Sequence, residues 1–145
     1  MFYTILFCAI ISVASATNRP VRPKDQQVYH LTPEKVLKVQ KFTLPCIEKY
    51  NADPDIFGKL IDGTMPNDDT SKNFLYCFAT SGQFVHEDGH FNIPRMSELL
   101  GDHPLKKGFE EALTGCNTVT KETPTETVYE MSLCINERAP VVFSL

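Results

Sequence analysis

The chain has 145 residues, a formal net charge of −4, 42% hydrophobic and 22% charged residues, which is the size and mix of one ordinary globular domain. Lys and Arg never run longer than a pair, which argues against the basic stripe of a nucleic-acid-binding surface. Neither a disordered nor a fibrous chain fits this composition.

Residues 1–16 stand apart. Ile5, Leu6, Phe7, Ile10 and Ile11 make an apolar run that ends in Ala14-Ser15-Ala16, a small-x-small pattern that a signal peptidase accepts. The run is short of the roughly 20 residues that span a bilayer. It reads as a cleaved signal peptide, with a short N-terminal anchor as the alternative. Cleavage after Ala16 removes Cys8 and leaves Cys46, Cys77, Cys116 and Cys134. An even count in a secreted chain implies two disulfides, and the residues alone leave all three pairings open. The domain organisation expected is a signal peptide over 1–16, an N-terminal arm over 17–31 and a single helical domain over 32–145.

Beyond the arm the signals are helical. Thr32-Pro33-Glu34 joins a capping Thr, a Pro tolerated at the first position and an acidic first turn. Val36, Val39, Thr43, Cys46, Ile47 and Tyr50 follow at helical spacing, with Pro45 predicting a kink or break. Asp53-Pro54 repeats the cap signal ahead of Ile56, Phe57, Leu60 and Ile61, and Asp62-Gly63 stops that helix. A further start lies at Asp68 or Asp69, and Phe74, Cys77, Phe78, Ser81, Phe84 and Val85 fall on one stripe. Asp88-Gly89 is a turn. Ile93, Met96, Leu99 and Leu100 predict a short helix ended by Gly101. Leu105, Phe109, Ala112, Leu113 and Cys116 predict the next, entered through His103-Pro104. Val128, Met131, Cys134 and Ile135 mark a last helix between Pro124 and Pro140. No stretch shows a convincing period of two. The fold class expected is all-α, with six helices, and the apolar tail Val141–Leu145 is expected to be held against the body.

With the cysteines placed on these helices, the chain resembles the insect odorant-binding proteins of the pheromone and general odorant-binding family. That family has six cysteines, with three residues between the second and third and eight between the fifth and sixth. Cys46, Cys77, Cys116 and Cys134 match the first, third, fourth and sixth. Asn73 and Thr125 stand at the second and fifth. Those two are partners in the family, so their joint loss orphans no thiol, and the chain looks like the Minus-C subgroup. The resemblance implies the pairing Cys46–Cys77 and Cys116–Cys134, a compact domain around an apolar cavity, and a secreted extracellular carrier of odorants, pheromones or similar semi-volatile molecules. It also implies no catalytic activity and no cofactor. The partners expected are a small apolar ligand and, as a candidate, a membrane chemoreceptor. No nucleic acid, no stable membrane insertion, and a monomer or weak homodimer complete the expectation.

The candidate wall residues are Phe74, Phe78, Phe84, Met96, Leu100, Leu113, Val128, Met131, Ile135 and Phe143, with Tyr129 able to offer a hydroxyl. Helical stripes of this kind equally describe plain core packing. Met96 and Met131 suit an adaptable pocket because Met is unbranched and polarizable. His86-Glu87-Asp88-Gly89-His90 matches the zinc-protease pattern His-Glu-x-x-His, whose two His must share a helical face. Here a turn interrupts it. His86, His90 and His103 also raise the idea of acid-triggered ligand release, against the plainer reading of solvated loop histidines. The alternatives to an olfactory carrier are a same-fold carrier with another role, a zinc-dependent hydrolase on His86, Glu87 and His90, and an interaction protein with a filled core. Secreted expression is predicted to yield a chain starting at Thr17, readable by intact mass; a chain still beginning at Met1 would contradict the signal peptide.

Overall fold

The computed structural model describes residues 25–145. The signal peptide and most of the arm lie outside the described residues. Six α-helices follow one another: α1 (Pro33–Tyr50), α2 (Ile56–Asp62), α3 (Asp69–Ser81), α4 (Ile93–Ser97), α5 (Lys106–Cys116) and α6 (Pro124–Arg138). One turn of tighter helix, Glu98–Leu100, extends α4. Two short strands, β1 (Gln27–His30) and β2 (Val141–Ser144), bracket the helices in the chain. Among the described residues no helix is long and apolar enough to cross a membrane.

Four of the six helices start where a small polar side chain holds an unpaired N–H group. Thr32 Oγ1 accepts from Lys35 N at 3.4 Å, Asp68 Oδ1 from Ser71 N at 2.8 Å and Thr123 Oγ1 from Glu126 N at 3.1 Å. Asp53 caps a turn instead, accepting from Asp55 N at 2.9 Å, and α2 begins three residues later. Pro45 does not break α1, which is continuous over its 18 residues. The proline sits on the exposed side, next to exposed Lys41 and Leu44. The opposite face, Val39, Thr43 and Cys46, is buried, so packing and a disulfide hold the helix through the missing hydrogen bond.

Two expectations are corrected. The stripe from Phe74 to Val85 is not one helix. α3 ends at Ser81, and Gln83 turns the chain with a positive φ of 60°, so Phe84 and Val85 enter the core from a hairpin. Second, the chain does contain strands. β1 and β2 pair in parallel, with Gln27 opposite Val141 and His30 opposite Ser144. The arm's last residues are therefore a strand bound to the tail. The pair is clasped at both ends by Gln27 N to Pro140 O at 3.0 Å and Leu31 N to Ser144 O at 2.9 Å. Gln26 Nε2 completes it, donating to Asn136 O and Ala139 O at 2.9 and 2.8 Å. These are carbonyls at the end of α6, a place where helical carbonyls lack partners of their own.

α3 is the central element, packed against both α1 and α6, and α5 packs on α6. The pairing is Cys46–Cys77, joining α1 to α3, and Cys116–Cys134, joining α5 to α6. Loops of 31 and 18 residues put the chain-entropy stabilisation at about 4 and about 3 kcal/mol.

The cap at α3 carries a pH signature. The Ser71 backbone N–H, bonded to the Asp68 carboxylate, holds its pKa below the ordinary value. A lowered folded-state pKa means that the cap's contribution is complete above the unfolded value of about 3.9 and fades as pH falls through the folded one. Asp68→Ala is predicted to cost about 1 kcal/mol at pH 7, and the difference from the parent should shrink below pH 4. Urea unfolding at pH 7 and pH 3 measures both.

Candidate functional site

Between the helices and β2 the side chains line a partly open cavity of about 150 Å³. Every helix and β2 contribute to the lining. α2 supplies Phe57, Leu60 and Ile61; α3 supplies Leu75, Phe78 and Ala79; α6 supplies Val128, Ser132, Ile135 and Asn136. Met96 and Leu99 close the α4 side, Phe109 the α5 side, and Leu31 and Val39 the side of α1. Ala139, Val141, Val142 and Phe143 form the wall at the C-terminal end. A cavity of roughly this size lined by Leu, Ile and Phe stays dry and takes a benzene-sized molecule.

Aromatic contacts brace the wall. Phe78 lies near the rings of Phe57, Phe74 and Phe84, with centroids 5.3, 6.1 and 5.7 Å away. Phe143 sits edge-on between Phe109 at 5.8 Å and Tyr29 at 5.9 Å. Tyr29 belongs to β1, so the strand holds the ring that forms the wall. Lys35 fixes the same corner, with Nζ donating to Leu99 O at 2.7 Å and to Tyr29 Oη at 3.0 Å.

Of the residues expected in the wall, Phe78, Phe84, Met96, Val128, Ile135 and Phe143 line the cavity. Phe74, Leu100, Leu113, Tyr129 and Met131 do not. They are buried in the core around it, where close packing between elements uses up their apolar surface. The Tyr129 hydroxyl donates to Met65 O at 3.4 Å instead of facing the cavity, and burial pushes its pKa up. On α6 the inward face is rotated from the one that apolar periodicity marks. It carries Ser132 and Asn136, two polar side chains off the apolar stripe, while Met131 and Cys134 turn to the core and the disulfide. Phe57, Leu60, Ile61, Val39 and Phe109 were legible as apolar helix faces. Val141 and Val142 were legible only as an apolar tail.

The His-Glu-x-x-His segment is the tip of a hairpin. Val85 and Phe91 form an antiparallel bridge, His86 N donates to His90 O at 2.8 Å, and Gly89 N donates to His86 O at 2.9 Å. Gly89 has φ of +89°, and a Cβ there would lie 2.4 Å from Pro124 O at the start of α6, so only glycine fits. His90 Nε2 lies 3.0 Å from Val119 O and 3.1 Å from Thr120 Oγ1. A carbonyl only accepts, so Nε2 is protonated and donates. The other ring nitrogen faces Asp88 Oδ2 at 3.0 Å, and the His90 backbone N–H holds the Asp88 pKa below the usual carboxylate range. Asn117 grips the same hairpin, accepting from Phe91 N at 2.8 Å and donating to Phe91 O at 3.3 Å. The segment thus presents Phe84, Val85 and Phe91 to the cavity. Among the described residues no group of three or more His, Cys, Asp or Glu is placed to hold a metal ion.

Six helices, two disulfides and an apolar cavity between the helices define a helical binding protein built around its own interior. Residues 28–138 match the PBP/GOBP family, and the chain belongs to that family, the insect odorant-binding proteins, whose members are binding proteins for odorants and pheromones. No curated protein matches the chain.

Ala79 tests the cavity directly. Extra methylenes in a filled core cost about 1–3 kcal/mol. Ala79→Leu is predicted to leave the melting temperature within a few degrees of the parent, because the isobutyl group enters open space. A drop of the overpacked size would mean that the volume is not there.

Proposed function

We propose that this protein is a secreted extracellular carrier that takes up small apolar molecules, odorants or pheromones among them, in the cavity between α2, α3, α6 and β2. The observation that carries the reading is the apolar wall: among the described residues lining the cavity, Ser132 and Asn136 alone have polar side chains. A concave, mostly apolar space with a few polar groups is the usual small-molecule site. The reading places the protein in the Minus-C subgroup, with Asn73 and Thr125 standing where the third bridge would run, and it has the protein pass its cargo to a membrane chemoreceptor.

A same-fold carrier with a non-olfactory role shares all of this chemistry, and tissue expression separates the two. The zinc-hydrolase alternative draws no support from the geometry of its motif. Its two histidines flank a hairpin turn, and both ring nitrogens of His90 already have partners.

The deciding experiment is titration of the refolded mature protein with an N-phenylnaphthylamine probe, followed by displacement with volatiles and fatty acids. Saturable, reversible binding in the low micromolar range is expected, and its absence in a folded protein with both disulfides would defeat the carrier reading. Deleting residues 141–145 removes Val141, Val142 and Phe143 from the wall, and is predicted to weaken probe binding at least ten-fold. Unchanged affinity would reject a role for the tail in the pocket.

A further inference from the structure

Hydrophobic size does not exhaust what the cavity can read. Ser132 and Asn136 lie four residues apart on α6 and so on one helical face. Both line the cavity. Each spends a donor on a backbone carbonyl. Ser132 Oγ donates to Tyr129 O at 2.6 Å, and Asn136 Nδ2 donates to Leu60 O at 3.2 Å. The second bond also fixes the amide orientation, since a carbonyl can only accept. Acceptors predominate among the groups left over: the lone pairs of Ser132 Oγ and the Asn136 side-chain carbonyl, neither of which takes a hydrogen bond from any described residue, against one remaining amide hydrogen of Asn136.

We propose that this pair of acceptors makes the cavity selective for ligands carrying a hydrogen-bond donor, alcohols and phenols above all, over aldehydes, ketones and esters of the same size. The inference rests on the carrier reading and adds a substrate class to it. A hydroxyl set against α6 donates to Asn136 or Ser132 while its carbon skeleton occupies the apolar remainder. An aldehyde in the same pose can accept only from the remaining Asn136 amide hydrogen and leaves the acceptor oxygens unpaired. Sites built to bond a substrate hydroxyl discriminate strongly against analogues that lack it, because unpaired buried polar groups are costly. A featureless apolar cavity has the opposite preference, since the hydroxyl is the more strongly hydrated of the two groups and costs more to remove from water.

The test is displacement of the N-phenylnaphthylamine probe by benzyl alcohol, benzaldehyde and ethylbenzene, three molecules of nearly one size. Benzyl alcohol is expected to bind at least five-fold more tightly than benzaldehyde. Asn136→Leu and Ser132→Ala are each expected to bring that ratio toward one, and Asn136→Leu to leave ethylbenzene unchanged or tighter. Circular dichroism checks that each variant folds. If Asn136→Leu does not fold, the parent ratio and Ser132→Ala decide. Equal affinities overturn the proposal while leaving the carrier reading intact. Tighter benzaldehyde binding overturns it too, and assigns the second amide hydrogen of Asn136 to the ligand carbonyl. A preference for the alcohol that survives in every folded variant places the discrimination elsewhere. Failure of the probe and all three compounds to bind defeats the carrier reading itself.

Discussion

The interior volume that the side chains of this protein do not fill is the constraint around which the rest is organised. At the cost seen when a core is hollowed by substitution, about 150 Å³ of apolar cavity destabilises a fold by about 4 kcal/mol. That is a large part of the 5–15 kcal/mol typical of a whole domain. The two disulfides offset it on the same scale, about 3 and about 4 kcal/mol on chain-entropy grounds. They are placed for this. One ties α1 to α3 and the other α5 to α6, so two wall helices, α3 and α6, are each stapled to a neighbour through cysteines that do not line the cavity. The wall faces are left free of cross-links and can follow the shape of what they enclose.

The polar parts of the structure serve the same end. The hairpin after α3 carries a sequence that reads as metal-binding, yet its His90 and Gly89 hold the hairpin to the chain leading into α6, with Asp88 bracing His90. Gly89 permits contact with the Pro124 carbonyl, His90 bonds to Val119 and Thr120, and Asn117 holds Phe91 by both its backbone groups. The outcome is a fixed position for Phe84, Val85 and Phe91. The β1–β2 pair works the same way at the other end. Parallel pairing with β1 turns the tail into wall, and Tyr29 and Lys35 lock its corner to the turn after α4.

The wall residues also explain why a stripe of apolar side chains is an incomplete guide to a cavity. Phe74 and Met131 are as apolar as Phe78 and Ile135 and sit on the same helices, and Leu113 shares α5 with the wall residue Phe109. They differ only in which neighbouring element they meet. Where a neighbour packs closely, the residue is core; where neighbours stand apart, it is wall. On α6 the difference amounts to a small rotation that brings Ser132 and Asn136 inward, and this rotation gives the cavity its polar edge.

The sequence by itself determined the elements and their chemistry. Caps, prolines and 3.6-residue spacing are local signals, readable because each depends on residues within one or two turns, and they placed all six helices. The cysteine spacing carried the family, and with it the disulfide pairing that the four positions alone left open. The tertiary structure decided everything that depends on distant chain segments meeting. The four-residue strands are too short to show a period, and Gln27 pairs with Val141 only because the folded body brings the two ends together. Pro45 remains inside a helix because the buried face of α1 is held by α3. The same is true of the cavity itself: whether a buried side chain faces a neighbour or an opening is a property of the gap between helices, and no single helix contains that information.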